Sequence, residues 1–138
     1  MKALVTKLRT NGTREKVLVT DWAKPPAPVA GQFMTRTLYS GITNGTERND
    51  LIKGNYAYAD EQLPAPWGYQ NVGEVIECGP GLQQIKQGDV LYLSHDHLEY
   101  CLNAEQGGLY VKLPPAVNRA HAALFGMASV AMRTCRNA

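Results

Sequence analysis

His95, His97 and Glu99 are the densest set of metal-ligating side chains in the sequence. Spacing by two puts all three on one face of an extended segment, because strand side chains repeat every second residue, and imidazole with carboxylate is a donor set that transition metals accept. The same short pattern fits a hairpin turn with exposed histidines, since nothing in it is specific to a metal. Cys78, Cys101 and Cys135 are odd in number, far apart and without a Cys-x-x-Cys pair. They predict free thiols, neither a disulfide framework nor a thiolate zinc site. His121 falls in a predicted helix, where a surface or packing role is expected. The largest signal is a glycine-punctuated stretch, Trp67-Gly68-Tyr69-Gln70-Asn71-Val72-Gly73-Glu74-Val75-Ile76-Glu77-Cys78-Gly79-Pro80-Gly81, followed by Lys86-Gln87-Gly88-Asp89-Val90.

The elements that must position these residues are mostly short strands. Residues 1–6 and 16–22 are rich in β-branched side chains and flank Asn11-Gly12, a pair that takes the positive φ angles of a tight hairpin turn. Pro25, Pro26 and Pro28 remove amide donors, so residues 22–31 read as an extended connector. Residues 32–40 alternate as a strand does, with Phe33, Thr35, Thr37 and Tyr39 on one face and Met34, Arg36 and Leu38 on the other. Residues 41–54 are polar and residues 55–66 are rich in tyrosine and proline; neither carries a clean period, which predicts loops or one short helix. Residues 71–78, 90–93, 98–103 and 110–113 complete the strands, with Gly79-Pro80-Gly81 as a turn. Asn118 is a plausible N-cap for a helix over 120–135, in which Leu124, Met127, Ala128, Ala131 and Cys135 recur at helical spacing. No glycine or proline stop follows before Ala138, and the apolar surface of this helix exceeds what the domain alone can cover.

With 138 residues, 44% hydrophobic and 19% charged, the chain is expected to form one globular domain over 1–138, mainly β, a barrel or sandwich. Its net charge of +2 comes from scattered Lys and Arg. Without a basic run or basic-aromatic alternation, nucleic acid is not an expected partner. Charge interrupts the N-terminus too early for a signal peptide and no apolar run reaches membrane-spanning length, which predicts a cytoplasmic protein with no membrane partner. Asn11 and Asn44 each open an Asn-Gly-Thr triplet, a glycosylation pattern without meaning in that compartment.

Taken in order, the motifs resemble the N-terminal GroES-like catalytic domain of the medium-chain dehydrogenase/reductase family, the zinc alcohol dehydrogenase relatives. The stretch 67–90 is similar to that family's Gly-His-Glu, Val-Gly and Gly-Asp-Arg-Val signature. Lys2-Ala3-Leu4-Val5 resembles its opening strand and Tyr39-Ser40-Gly41-Ile42 its Gly-Ile-Cys approach. His97-Leu98-Glu99-Tyr100 resembles its Phe-Ala-Glu-Tyr strand and Val111-Lys112-Leu113-Pro114 its Lys-Leu-Pro. The resemblance implies a GroES-like, partly open β-barrel with short peripheral helices and a C-terminal helix.

It also implies which chemistry is missing. A catalytic zinc needs three ligands of thiolate, imidazole or carboxylate type. The family's ligand cysteine after Gly-Ile falls on Thr43, its Gly-His-Glu falls on Gly68-Tyr69-Gln70, and a third ligand would fall near Met127, whose thioether suits zinc poorly. The cysteine-rich structural zinc lobe is replaced by Ser94-His95-Asp96-His97. No zinc is expected. Zinc-free branches resemble quinone and enoyl reductases, in which a hydride goes to an activated double bond or carbonyl. By that likeness Tyr69 is the expected proton donor, with Thr43, Gln70 and Glu47 as further catalytic groups and Thr46 and Arg48 as substrate-binding groups. Thr46 and Glu47 also suit simple helix capping, and Tyr69 suits a half-buried aromatic with a wet hydroxyl.

Hydride transfer needs a nicotinamide cofactor, yet the Gly-x-Gly-x-x-Gly turn that meets a pyrophosphate is nowhere in the sequence. The expectation is a substrate-side fragment of an NAD(P)-dependent oxidoreductase, inactive in isolation, whose partners are a small-molecule substrate and a nucleotide-binding Rossmann domain absent from this chain. Homo-oligomer formation is left open. The rival is a non-catalytic GroES-like binding or assembly module that uses residues 41–54 as a partner-contacting loop.

Overall fold

The computed structural model describes residues 1–136. In chain order the elements begin with β1 (Ala3–Leu8), β2 (Arg14–Val19), β3 (Gln32–Ser40) and helix α1 (Asn44–Leu51). A short 3-10 turn at Asp60–Gln62 leads to β4 (Ala65–Pro66), then β5 (Asn71–Cys78), β6 (Val90–Leu93), β7 (Tyr100–Ala104) and β8 (Tyr110–Lys112). Helices α2 (Arg119–Ala122) and α3 (Phe125–Arg136) close the chain.

The strands form a three-stranded sheet, β2-β1-β4, and a five-stranded sheet, β7-β3-β5-β6-β8. Every pairing named here is antiparallel, β1 and β2 through a tight hairpin and the others across longer connections. The Asn11-Gly12 turn forms as expected: Gly12 takes φ 77°, and Asn11 Oδ1 accepts from the Thr13 amide at 3.1 Å. Residues 97–99 stitch the sheets together, since Leu4 N donates to His97 O and Thr37 N to Glu99 O. The result is the partly open barrel that the family resemblance implies. Two register shifts between β3 and β5, at Met34/Thr35 and Thr37/Tyr39, bend the larger sheet.

Alternation along these strands fills the core. Phe33, Val75, Leu91 and Leu93 are fully buried around Ile85, and each such side chain contributes about 1.5–3 kcal/mol on leaving water. A second cluster joins Val72 to Ala122 and Ala123, with Tyr92 and Phe125 packed beside it. This cluster seats the C-terminal helices on the barrel. Leu124, Val130 and Met132 stay exposed, and Met127 is partly so, the uncovered apolar surface that the sequence predicts.

One open expectation resolves to its short-helix alternative, and one expectation changes. Residues 41–54, read as irregular or one short helix, contain the eight-residue α1, which has little apolar face and is held by charge. Arg14 Nη1 reaches the Asp50 carbonyl at 3.0 Å and its carboxylate at 3.4 Å, with side-chain exposures of 2% and 0%. Lys16 Nζ lies 2.8 Å from Asp50 Oδ2 and 3.0 Å from Glu47 Oε2, and the Thr6 hydroxyl donates to Asp50. Those ion pairs clamp α1 to the first hairpin, an anchorage unlike that of a free contact loop.

The single helix predicted over 120–135 is instead two. Asn118 caps α2 as expected, its Oδ1 accepting from His121 N at 3.1 Å, but the helix tightens at Ala123, where Leu124 N donates to His121 O. Gly41 explains the break. Its α-carbon sits against the Ala123 carbonyl, leaving no room for a side chain, so the turn at Ala123 is pressed onto the barrel. Helical periodicity alone could not reveal a contact made by a glycine eighty residues away.

Candidate functional site

Gly68 sets the site's geometry. It takes φ 144°, and a Cβ there would lie 2.8 Å from Cδ2 and Nε2 of the His97 ring, so only glycine allows the approach. Beyond it, Tyr69 stands half-buried and Gln70 fully buried. Gln70 O accepts from Gly41 N at 3.0 Å and from the Ser40 hydroxyl at 3.1 Å, which fixes the loop to the end of β3. Its side-chain Oε1 accepts from Met127 N at 3.2 Å, holding the first turn of α3 against the same loop. Gly126 permits that contact, since a Cβ there would lie 2.8 Å from both Gln70 Oε1 and the Tyr92 hydroxyl.

Three separate segments therefore converge. Thr43 Oγ1 is 3.1 Å from the Tyr69 hydroxyl, and that hydroxyl donates to Met127 Sδ at 3.4 Å. With the Tyr69 proton directed at sulfur, the Thr43 hydroxyl is the donor in the other bond. Thr43 stands at the N-cap of α1 in extended backbone yet makes no side-chain capping bond, so its hydroxyl serves Tyr69 instead. Thr43, Tyr69 and Met127 are the three positions on which the resemblance places zinc ligands, and they meet in space. Their donors are two neutral hydroxyls and a thioether, with an amide alongside. That set lacks the thiolate, imidazole or carboxylate a zinc ion needs and does not fit one.

Glu47 belongs to a different cluster. Its Oε1 is 3.0 Å from His97 Nε2, and the Lys16 ammonium stands 3.0 Å from Oε2 as an ion pair off the axis of a directed hydrogen bond. His97 Nδ1 meets the Ser40 hydroxyl. Burial works to raise the Glu47 pKa, but His97 and Lys16 outweigh it and hold the carboxyl below its ordinary value. Asp96 beside it shifts the other way, raised chiefly by burial.

Of the predicted site residues, the structure gathers Thr43, Tyr69 and Gln70. Glu47 is buried with its carboxylate taken by His97 and Lys16; Thr46 is half-buried and Arg48 exposed on α1. Among the described residues neither Thr46 nor Arg48 makes a side-chain hydrogen bond to Tyr69 or Gln70. The set His95, His97 and Glu99 does not converge: Leu98 N donates to Asp96 O in a turn, and Glu99 Oε2 accepts from Lys2 N at 2.7 Å. His97 is 7% exposed, not a histidine on an exposed turn. Among the described residues no group of three His, Cys, Asp or Glu side chains is arranged to hold a metal ion. Sequence reasoning missed the Ser40–His97–Glu47 contact. Its one signal was a histidine at the family's aromatic position.

No protein-family model and no curated protein matches the sequence. Solved structures do. The quinone oxidoreductase of Pseudomonas syringae pv. Tomato DC3000 aligns at 21% identity and TM-score 0.61 over 89% of this chain and 37% of its own. Escherichia coli quinone oxidoreductase complexed with NADPH aligns at 17% identity and TM-score 0.63, over 89% and 36%. Escherichia coli galactitol-1-phosphate dehydrogenase aligns at 14% identity and TM-score 0.67, over 90% and 41%. This chain therefore spans well under half the length of those proteins. What the alignments show is the fold, a GroES-like, partly open barrel shared with part of each of those proteins. Among the described residues no helix is long and apolar enough to cross a membrane.

Proposed function

We propose that this chain, which has the fold of the medium-chain dehydrogenase/reductase barrel domain, is the substrate-side part of a zinc-independent, NAD(P)-dependent oxidoreductase acting on an activated double bond or carbonyl. One observation carries the reading. Two linked hydroxyls and a thioether, from Thr43, Tyr69 and Met127, stand together where that fold's zinc ligands are expected.

The nicotinamide cofactor supplies the hydride when bound by a further domain, and this chain supplies substrate contacts. In the resting site Tyr69 donates to sulfur, a weak acceptor, so a substrate carbonyl oxygen exchanges a poor hydrogen bond for a better one. Thr43 then donates to the Tyr69 oxygen and steadies the charge that grows there as the proton moves. Gln70 acts by position, tying Met127 and α3 to the loop that carries Tyr69. Its buried Nε2 has no acceptor among the described residues, a spare donor beside the same site. Glu47 fixes α1 through Lys16 and His97 and so holds Thr43, Thr46 and Arg48 in place. Arg48, exposed one turn beyond Thr43, is the cation available to an acidic group on the substrate. The chain by itself is expected to carry out no hydride transfer.

The reading frame that carries this chain provides the test. A strand and a glycine-rich turn beyond Ala138 are expected, with NAD(P)H oxidation by quinones or enoyl substrates that Tyr69→Phe suppresses. A frame without a nucleotide-binding domain, or activity indifferent to Tyr69 and Thr43, would overturn the assignment.

A further inference from the structure

Ser40, His97 and Glu47 form a connected series outside the Thr43–Tyr69–Met127 cluster, and the reductase reading gives His97 and Ser40 no chemical task. Ser40 is the last residue of β3 and is exposed. Its hydroxyl meets His97 Nδ1, and His97 Nε2 lies 3.0 Å from Glu47 Oε1. Both His97 and Glu47 are 7% exposed. Ser40 and His97 open on a cavity of about 480 Å³ whose walls include Leu4, Leu18, Ile42 and Leu98.

The order of charges sets the tautomer. Glu47 is held ionised by Lys16 and His97, so it accepts the Nε2 proton and leaves a lone pair on Nδ1, the nitrogen that faces Ser40. The Ser40 hydroxyl has one proton and two acceptors, His97 Nδ1 and the Gln70 carbonyl at 3.1 Å. A proton on Nδ1 is balanced by the buried carboxylate behind it. Nucleophile, base and orienting acid in contact, with the nucleophile exposed beside an apolar cavity, are the roles by which an activated serine is recognised on unrelated folds.

We propose that Ser40–His97–Glu47 is an acyl-accepting site for esters of short apolar carboxylic acids. Ser40 Oγ attacks the ester carbonyl carbon while its proton passes to His97 Nδ1. The carbon–oxygen bond to the alcohol breaks, and the leaving alkoxide takes that proton from His97. Water then attacks the acyl–Ser40 ester, giving a proton to His97 that returns to Ser40 Oγ as the carboxylic acid departs. The sum is ester plus water to acid plus alcohol, with no redox change. This site stands apart from the reductase reading, and its failure leaves that reading where it was.

The 138-residue chain itself serves for the test, with p-nitrophenyl butyrate as substrate and a fluorophosphonate as trap, read by nitrophenol release and peptide mass mapping. The wild-type chain is expected to carry the phosphonyl group on Ser40. Ser40→Ala, an exposed position, is expected to remove the adduct and lower nitrophenol release at least about tenfold. His97→Phe should abolish labelling with Ser40 still present; His97→Gln takes its place if thermal melting shows that the phenylalanine variant does not fold. An unlabelled Ser40 in the folded wild-type chain, or release unchanged in Ser40→Ala, overturns the proposal.

Discussion

The hydroxyls of Tyr69 and Thr43 stand 3.1 Å apart, although 26 residues separate them and each comes from a different loop. Neither is placed by its own local structure. Gly68 aims the first by a backbone angle and a close approach to His97, and the buried ion pairs beneath α1 fix the second.

Because the two hydroxyls act as a unit, their removal should be non-additive. In the complete enzyme, Tyr69→Phe is expected to lower kcat/KM by about 10²–10⁴-fold, the range of a lost general acid, and Thr43→Ala by less. In the double variant the second change should add little. Steady-state kinetics with a folded-state check by circular dichroism measure this directly.

The Arg14–Asp50 pair predicts a stability effect. Both side chains are almost fully excluded from water, so Arg14→Met leaves the buried Asp50 carboxylate to Lys16 and Thr6 alone and should cost stability, by less than the about 3–5 kcal/mol of a wholly unpaired buried charge. Because Arg14 and Asp50 are in contact, adding Asp50→Asn should cost less in the Arg14→Met background than in the wild type. Urea unfolding of the single and double variants gives the comparison, and equal stability of Arg14→Met and wild type would contradict the clamp.

Glu47 and Asp96 should respond to pH with opposite signs. Glu47 has a folded pKa below its unfolded one, so its contribution is present above the ordinary Glu value of about 4.3 and is lost as pH falls through the folded value. Asp96, raised by burial, binds its proton more tightly when folded. It therefore costs stability at neutral pH, and the cost fades as pH falls towards about 4, the ordinary Asp value. Glu47→Gln should lower Tm at neutral pH and converge on wild type in acid. Asp96→Asn should raise Tm at neutral pH by an increment that disappears in acid. Melting curves across that range test both.

Thiol reactivity should divide the cysteines. Cys101 is fully buried and its pKa is pushed up to about 12, mainly by burial, whereas Cys78 and Cys135 are exposed. Native protein should react at the two exposed cysteines, more slowly at Cys78, whose thiol burial and Asp89 push up, and at the third only in denaturant. A disulfide-exchange titration counts them.

Much of the barrel was legible because strands announce themselves by alternation and turns by glycine. The hairpin at Asn11-Gly12, the strand over 32–40 and the Asn118 cap all formed where the residues indicate. The split between α2 and α3 was not legible, since it depends on Gly41 meeting Ala123 across the fold. The site divides likewise. Motif order brought Thr43, Tyr69 and Gln70 together, and the position of Met127 followed from the same order. The assignment of Glu47 to His97 and Lys16 instead of Tyr69 depends on which way one helix turn faces, and a helix with so little apolar pattern gives no sign of that.

Two hydroxyls and a thioether meet at the convergence of Thr43, Tyr69 and Met127, a donor set that offers zinc no seat. Elemental analysis of the chain, purified with excess zinc and then dialysed, tests it most directly. Well below about 0.1 zinc per chain is expected, with no rise in Tm on adding the metal. Stoichiometric zinc that is lost on substituting Tyr69 or Thr43 would contradict it.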